Sequence, residues 1–169
     1  MAAIAPALFM RGGAPFGAGL RSSTCRLAAL GTQRRSLQLT ISAQSREVIN
    51  TEKAPGAVGP YSQAIKHGST LYVSGQVPLV PGTKNLIGDD IAEQTDQALK
   101  NLGAILEAAG SSYSQVLKTT VLLVDMNDFA TVNEVYGRYF SENPPARACF
   151  AVKTLPLGAK VEIEAVAAV

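Results

Sequence analysis

Residues 116–124, Val-Leu-Lys-Thr-Thr-Val-Leu-Leu-Val, end in a run that is apolar at consecutive positions. Successive side chains of a strand point to opposite faces, so such a run has to be covered on both sides and belongs inside a sheet. Only two helical patterns are available to cover it. In the first, Asp90 is placed to cap, Glu93 completes a capping box, Ile91, Ala98, Leu102, Ile105, Leu106 and Ala109 keep the helical period, and Gly110 follows the end. Gly103 sits inside it, which costs roughly 1 kcal/mol against Ala and marks close packing. The second starts at Asn127 and Asp128, carries Phe129, Val132, Val135, Tyr136, Tyr139 and Phe140 on one face, and stops at Asn143-Pro144-Pro145. Both helices fit on one face of a mixed α+β sheet, which leaves the other face for a partner subunit and predicts a closed symmetric oligomer.

The other strands follow from alternation. Residues 61–66 and 71–77 flank a turn at His67-Gly68-Ser69-Thr70 and read as a hairpin. Near the end, Pro144-Pro145-Ala146-Arg147-Ala148-Cys149-Phe150 opens one run and Lys160-Val161-Glu162-Ile163-Glu164 another, with Leu155-Pro156-Leu157-Gly158 as turn material between them. Arg147 and Cys149 share one side of their strand, and Glu162 and Glu164 share one side of theirs. Adjacent strands would bring the guanidinium and the carboxylates together; the same spacing also serves an ordinary hairpin with its charges in water. Upstream, Gly59-Pro60 fixes a turn that puts Tyr61 at the mouth of the first strand. Ser74-Gly75 sets a hydroxyl beside a backbone N–H that no side chain shields, a pairing suited to a carboxylate.

Charge divides the chain. Residues 1–46 hold six arginines and no acid, whereas all thirteen acids lie in residues 47–169 against nine cations, a balance of −4. An acid-free, Arg-bearing leader rich in Ala, Gly and hydroxyl residues has the composition of an organelle transit peptide, with no packed structure of its own. The Met-Ala start and the hydroxyl content lean to a plastid, the arginine count to a mitochondrion. Its apolar pieces are too short to span a bilayer, and its charges follow the apolar residues instead of preceding them as in a secretory signal. The remaining residues, 47–169, make one domain. Cys149 is their only thiol and His67 their only histidine, so neither an intrachain disulfide nor a transition-metal site is expected. The −4 balance without a Lys/Arg stripe argues against nucleic acid as a partner.

Gly-Pro-Tyr-Ser-Gln-Ala (59–64), Ser-Gly-Gln (74–76), Lys-Thr-Thr-Val (118–121), Asn-Asp-Phe-Ala-Thr-Val-Asn (127–133), Pro-Ala-Arg (145–147) and Val-Glu-Ile-Glu (161–164) occur together and in order. From about Thr51 to the end, the chain closely resembles the RidA/YjgF family of reactive-intermediate deaminases, which act on 2-iminobutanoate and 2-iminopropanoate. The resemblance implies a chorismate-mutase-like fold and a homotrimer with three clefts between subunits, working on small 2-imino acids without a cofactor, metal, nucleic acid or membrane. It implies that Arg147 takes the substrate carboxylate beside Ser74 and Gly75, that Tyr61 lines the cleft, that Cys149 meets the ligand largely through its backbone, and that Glu162 places water. It further implies protection of pyridoxal-phosphate enzymes and support of branched-chain amino acid synthesis, including isoleucine. Glu142-Asn143-Pro144 departs from the family, many of whose members carry a bulkier residue before Pro-Ala-Arg.

The chemistry asks little beyond these groups. A 2-imino acid is an electrophilic C=N beside a carboxylate; Arg binds the anion with a planar fork, and Glu162 orients the attacking water or takes its proton. No histidine lies near Cys149 to act as its base, so a covalent route through the thiol is not expected. A trimer that merely binds 2-oxo acids would use the same Arg147 anchor. For the leader, N-terminal sequencing of protein isolated from the organelle should find a new terminus near residue 46, and an intact Met1 would remove the transit-peptide reading.

Overall fold

The computed structural model describes residues 45–169. The expectation of a transit peptide therefore falls, for residues 1–44, outside the described residues. Six strands and two helices follow in the order β1 (Arg46–Ile49), β2 (Ala64–His67), β3 (Thr70–Gln76), α1 (Ile91–Ala108), β4 (Val116–Leu123), α2 (Phe129–Tyr139), β5 (Ala146–Ala151) and β6 (Val161–Ala168). They make one mixed sheet with the strand order β1-β2-β3-β6-β4-β5. The expected hairpin is β2–β3, in which His67 faces Thr70 across a two-residue turn whose first residue, Gly68, has φ +62°. β1 was not foreseen: four residues with two charges and three exposed side chains give no alternation to read, and the strand begins at Arg46, inside the boundary drawn for the leader.

One expectation about neighbours is corrected. β5 and β6 do not pair with each other, because β4 lies between them, parallel to β5 and antiparallel to β6. The cause is α2. A strand that follows its predecessor through a covering helix returns parallel to it, so β5 takes the place beside β4 at the sheet edge. β6, with Val161, Ile163, Ala165 and Ala167 all buried, fills the centre between β3 and β4.

Both helices cover one face. Leu71 and Val73 of β3, Thr119, Val121 and Leu123 of β4 and the buried side chains of β6 meet Leu99, Leu102, Ile105 and Leu106 of α1 and Val132, Val135 and Tyr136 of α2 in a single core. The first helix starts as read: Asp90 Oδ1 accepts from the Glu93 amide at 2.9 Å. It ends in a Schellman motif, with Gly110 at φ +79°, its N–H bonded to Glu107 O, and the Ser111 N–H bonded to Leu106 O. The opposite face of the sheet carries Tyr72, 53% exposed, with Lys118, Thr120, Glu164 and Val166 around it. The second half of β4 is thus buried on its helix side, at Val121 and Leu123, while Leu122 on the other face is only half-buried.

Gly103 has a specific neighbour. A Cβ there would overlap the hydroxyl of Tyr113, which donates to Leu99 O at 2.6 Å and whose pKa burial pushes up to about 12. Overlap with this half-buried ring outweighs the gain in helix propensity, so Gly103→Ala should lose roughly 1–3 kcal/mol in urea denaturation. In a chain carrying Tyr113→Phe, which removes the first atom met, that loss should shrink.

Candidate active site

The hairpin β2–β3 and the start of β6 build one wall of a cleft. β3 loses register with β6 between Val73 and Gln76, so Ser74 and Gly75 bulge where the ladder would continue. A bulge re-aims the residues it contains, and here it brings both to the surface beside Glu162 of β6. Glu162 lies against Gly75 so closely that a Cβ on residue 75 would overlap its carboxylate; only glycine leaves the acid room. Val58, Tyr61, Val77 and Pro156 complete the lining, which gives an open cleft of about 220 Å³. Four of the site residues expected from the sequence, Tyr61, Ser74, Gly75 and Glu162, therefore meet in one place.

Local structure explains the placement of each. Tyr61 closes a tight turn through its N–H to Gly59 O at 2.8 Å, and its hydroxyl accepts from the Val58 N–H at 3.2 Å, which holds the ring across the cleft mouth. The Ser74 hydroxyl donates to Ser62 O at 2.7 Å, so here its proton is committed to the backbone and not to a carboxylate, unlike the pairing expected from the sequence. Burial, aided by the nearby Glu164, raises the Glu162 pKa above the usual carboxylate range. A raised pKa makes the ionised carboxylate a stronger proton acceptor.

Arg147 and Cys149 are elsewhere. Arg147 sits on the helix side of β5, its guanidinium carbon 4.8 Å from the ring centre of Tyr136 and 5.7 Å from that of Phe129, and Cys149 packs against the same core. Glu162 projects from the other face of the sheet. Its register partner on β4 is Leu122, whereas that of Arg147 is Thr119. β4 separates the two strands by about 10 Å, three residues of offset add about 10 Å along them, and the sheet itself lies between. Within one chain the guanidinium and the carboxylate cannot share a ligand. The ion pairs among the described residues, Lys53–Glu107, Lys100–Asp96 and Arg138–Glu134, leave Arg147 out. The Cys149 thiol is pushed up in pKa by burial, partly countered by Arg147, and so is disfavoured as a thiolate nucleophile.

Sequence reasoning assigned no role to the amides that shape the cleft. Gln63, 3% exposed, accepts from Thr51 N and donates to Thr51 O and Pro55 O, which fixes the segment leading to Val58 and Tyr61. Asn101 donates to Val77 O and Leu79 O, and Gln94 joins Gly88 O to the Lys160 N–H. The signal was present as amide side chains inside otherwise apolar patterns, which are tolerated when each finds partners. On α2, Asn133 keeps a buried side-chain oxygen with no hydrogen-bond partner among the described residues.

The family model described as Endoribonuclease L-PSP matches residues 51–169. The human 2-iminobutanoate/2-iminopropanoate deaminase is 54% identical over 127 residues, which is 75% of this chain and 93% of that protein. The chloroplastic Reactive Intermediate Deaminase A of Arabidopsis thaliana is 46% identical over 145 residues, 86% of this chain and 78% of that one. Among solved structures, E. coli TdcF with bound serine superposes with a TM-score of 0.70 at 43% identity and covers 73% of this chain and 98% of its own.

The close fit of Glu162 on Gly75 is testable. Gly75→Ala should displace the carboxylate and lower imine hydrolysis by about a hundredfold or more, as loss of a positioned base does. Gly56→Ala, in the segment between β1 and β2 and with nothing near its Cβ, should leave turnover unchanged.

Proposed function

The chain belongs to the endoribonuclease L-PSP family, the RidA/YjgF family, and from that premise we propose that it hydrolyses 2-imino acids and their enamine tautomers to 2-oxo acids and ammonia. The reaction takes place in clefts between copies of the chain. One observation carries the second half: Arg147 and Glu162 lie on opposite faces of a single sheet, and the face that carries Glu162 is left uncovered by the chain's own helices. A neighbouring copy that brings its β5 edge to the cleft supplies the guanidinium, and a closed ring of three copies makes three equivalent clefts.

The steps follow from the groups. Arg147 of one subunit grips the carboxylate with two parallel N–H donors and so fixes the plane of the imino acid. Glu162 of the next subunit holds a water against the iminium carbon and takes its proton as the C–O bond forms. Glu162 returns that proton to the nitrogen of the resulting carbinolamine, and as the C–N bond breaks and ammonia leaves, the hydroxyl proton passes to Glu162, so that the C=O of the 2-oxo acid forms. Water adds readily to iminium ions, so placement and proton transfer are what the site supplies. The relative that holds serine, a small acid bearing nitrogen next to its carboxylate, supports a ligand of this shape. Removing such imines protects pyridoxal-phosphate enzymes and supports branched-chain amino acid synthesis.

The family description also names an endoribonuclease. Residues 47–169 carry a net −4, and the cleft presents a carboxylate where a phosphate would have to lie, so electrostatics favours the small imino acid. The plastid is the proposed destination. The match to the chloroplastic relative spans 145 residues, more than residues 45–169 contain, so it reaches into the basic leader.

The decisive experiment generates 2-iminobutanoate from threonine with a dehydratase and follows its decay. Arg147→Ala should cost roughly 2–5 kcal/mol in kcat/KM, and Arg147→Lys should recover little, because a point charge cannot fix the plane. Refolding Arg147→Ala and Glu162→Gln chains together in equal amounts should restore activity to about a quarter of wild type, the fraction of clefts that draw both intact residues from different chains. No restoration in mixed trimers would place the site within one chain or elsewhere.

A further inference from the structure

Arg147 rests on a built platform. Tyr136 lies under the guanidinium at 4.8 Å and Phe129 at 5.7 Å, two helical turns apart on the same side of α2. Tyr136 is only 5% exposed, and it is held from two directions. Its ring stacks at 4.5 Å on Phe140, and its hydroxyl shares a 2.7 Å bond with Thr119 Oγ1, itself fully buried. Thr119 is also the register partner of Arg147 across β4 and β5. The strand neighbour of the arginine thus pins the ring on which the arginine lies. A long side chain at a sheet edge would otherwise sample many rotamers, and an ion pair that could restrain it is not among those of the described residues.

We propose that Tyr136, locked by Thr119 and extended by Phe129, is a positioning residue for the carboxylate-binding Arg147. An aromatic face attracts the cation without neutralising it, so the guanidinium is held in one plane while its N–H edges stay free for an incoming carboxylate. An acid in the same place would fix the arginine equally well but would consume the fork. The inference rests on the reading of Arg147 as the carboxylate anchor, and its test separates the two.

The test is a double-mutant cycle on 2-iminobutanoate hydrolysis at matched oligomer content, with Tyr136→Leu, Arg147→Ala and the double variant. Tyr136→Leu should raise KM about tenfold with kcat within about twofold, as expected when a cation–π contact that serves binding is removed. Introduced into Arg147→Ala, it should change nothing further, because the group it orients is gone. A purely structural role predicts instead that the two losses add, and that outcome, or an unchanged KM in Tyr136→Leu, overturns the proposal. If Arg147→Ala itself keeps wild-type kcat/KM, the anchor reading fails and the proposal fails with it. Should Tyr136→Leu not fold, Phe129→Leu, at a less buried position, decides: a KM raised about threefold in the wild-type background and unmoved in Arg147→Ala supports the platform, and no rise overturns it.

Discussion

A β-strand turns successive side chains to opposite faces, and this alternation governs the molecule. The two helices cover one face of the sheet and bury Leu71, Val121, Leu123 and Ile163 beneath them. Arg147 belongs to that side, at the free edge formed by β5, and Glu162 belongs to the other. No change of rotamer brings them together, because β4 and the thickness of the sheet stand between. A chain built this way keeps the guanidinium and the carboxylate on separate faces, which is the basis for the proposal that they meet only between copies of the chain.

Each of the two is held by groups that look merely structural. On the Glu162 side, the bulge at Ser74 and Gly75 and the missing Cβ of Gly75 give the acid its place. Gln63, Asn101 and Gln94 then tie three loops to the hairpin and to α1. A buried amide without its partners costs about 1–3 kcal/mol, so these loops cannot drift without a penalty comparable to a core substitution. On the Arg147 side, rigidity comes from aromatic rings instead, which leave the cation's hydrogen-bonding edge open.

Much of this was legible in the residues. The β2–β3 turn, the capped first helix with its terminal Gly110, the aromatic face of α2 and the close packing at Gly103 all follow from local chemistry, and local chemistry decided them. Tyr61, Ser74, Gly75 and Glu162 were singled out separately and do converge. The pairing of the last two strands was misread because spacing along the chain favours a hairpin, whereas the crossover through α2 forces β5 to the far side of β4. That is a non-local constraint with no signature in either strand. β1 escaped notice for the opposite reason: it is too short and too charged to carry a pattern, and it is a strand only because β2 offers it an edge. The link between Thr119, Tyr136 and Arg147 joins three elements and could not be read from any one of them.

Electrostatics ties assembly to chemistry. Burial raises the Glu162 pKa, so its folded-state value lies above that of the unfolded chain. The ionised carboxylate then costs the single chain stability at pH above its folded pKa; the cost shrinks as pH falls through that value and is gone below the unfolded one. A carboxylate that destabilises its own fold when charged is one that a nearby cation can relieve. Arg147, stacked on rings and missing from the ion pairs of the described residues, is a cation whose charge its own chain leaves available. In the proposed cleft between subunits, a guanidinium brought near Glu162 lowers the cost of ionising it and with that its basicity, and a substrate carboxylate lying between the two limits this loss. In the proposed assembly the contact that makes ionisation of Glu162 less costly therefore also limits its basicity, and the substrate carboxylate sets the balance between the two.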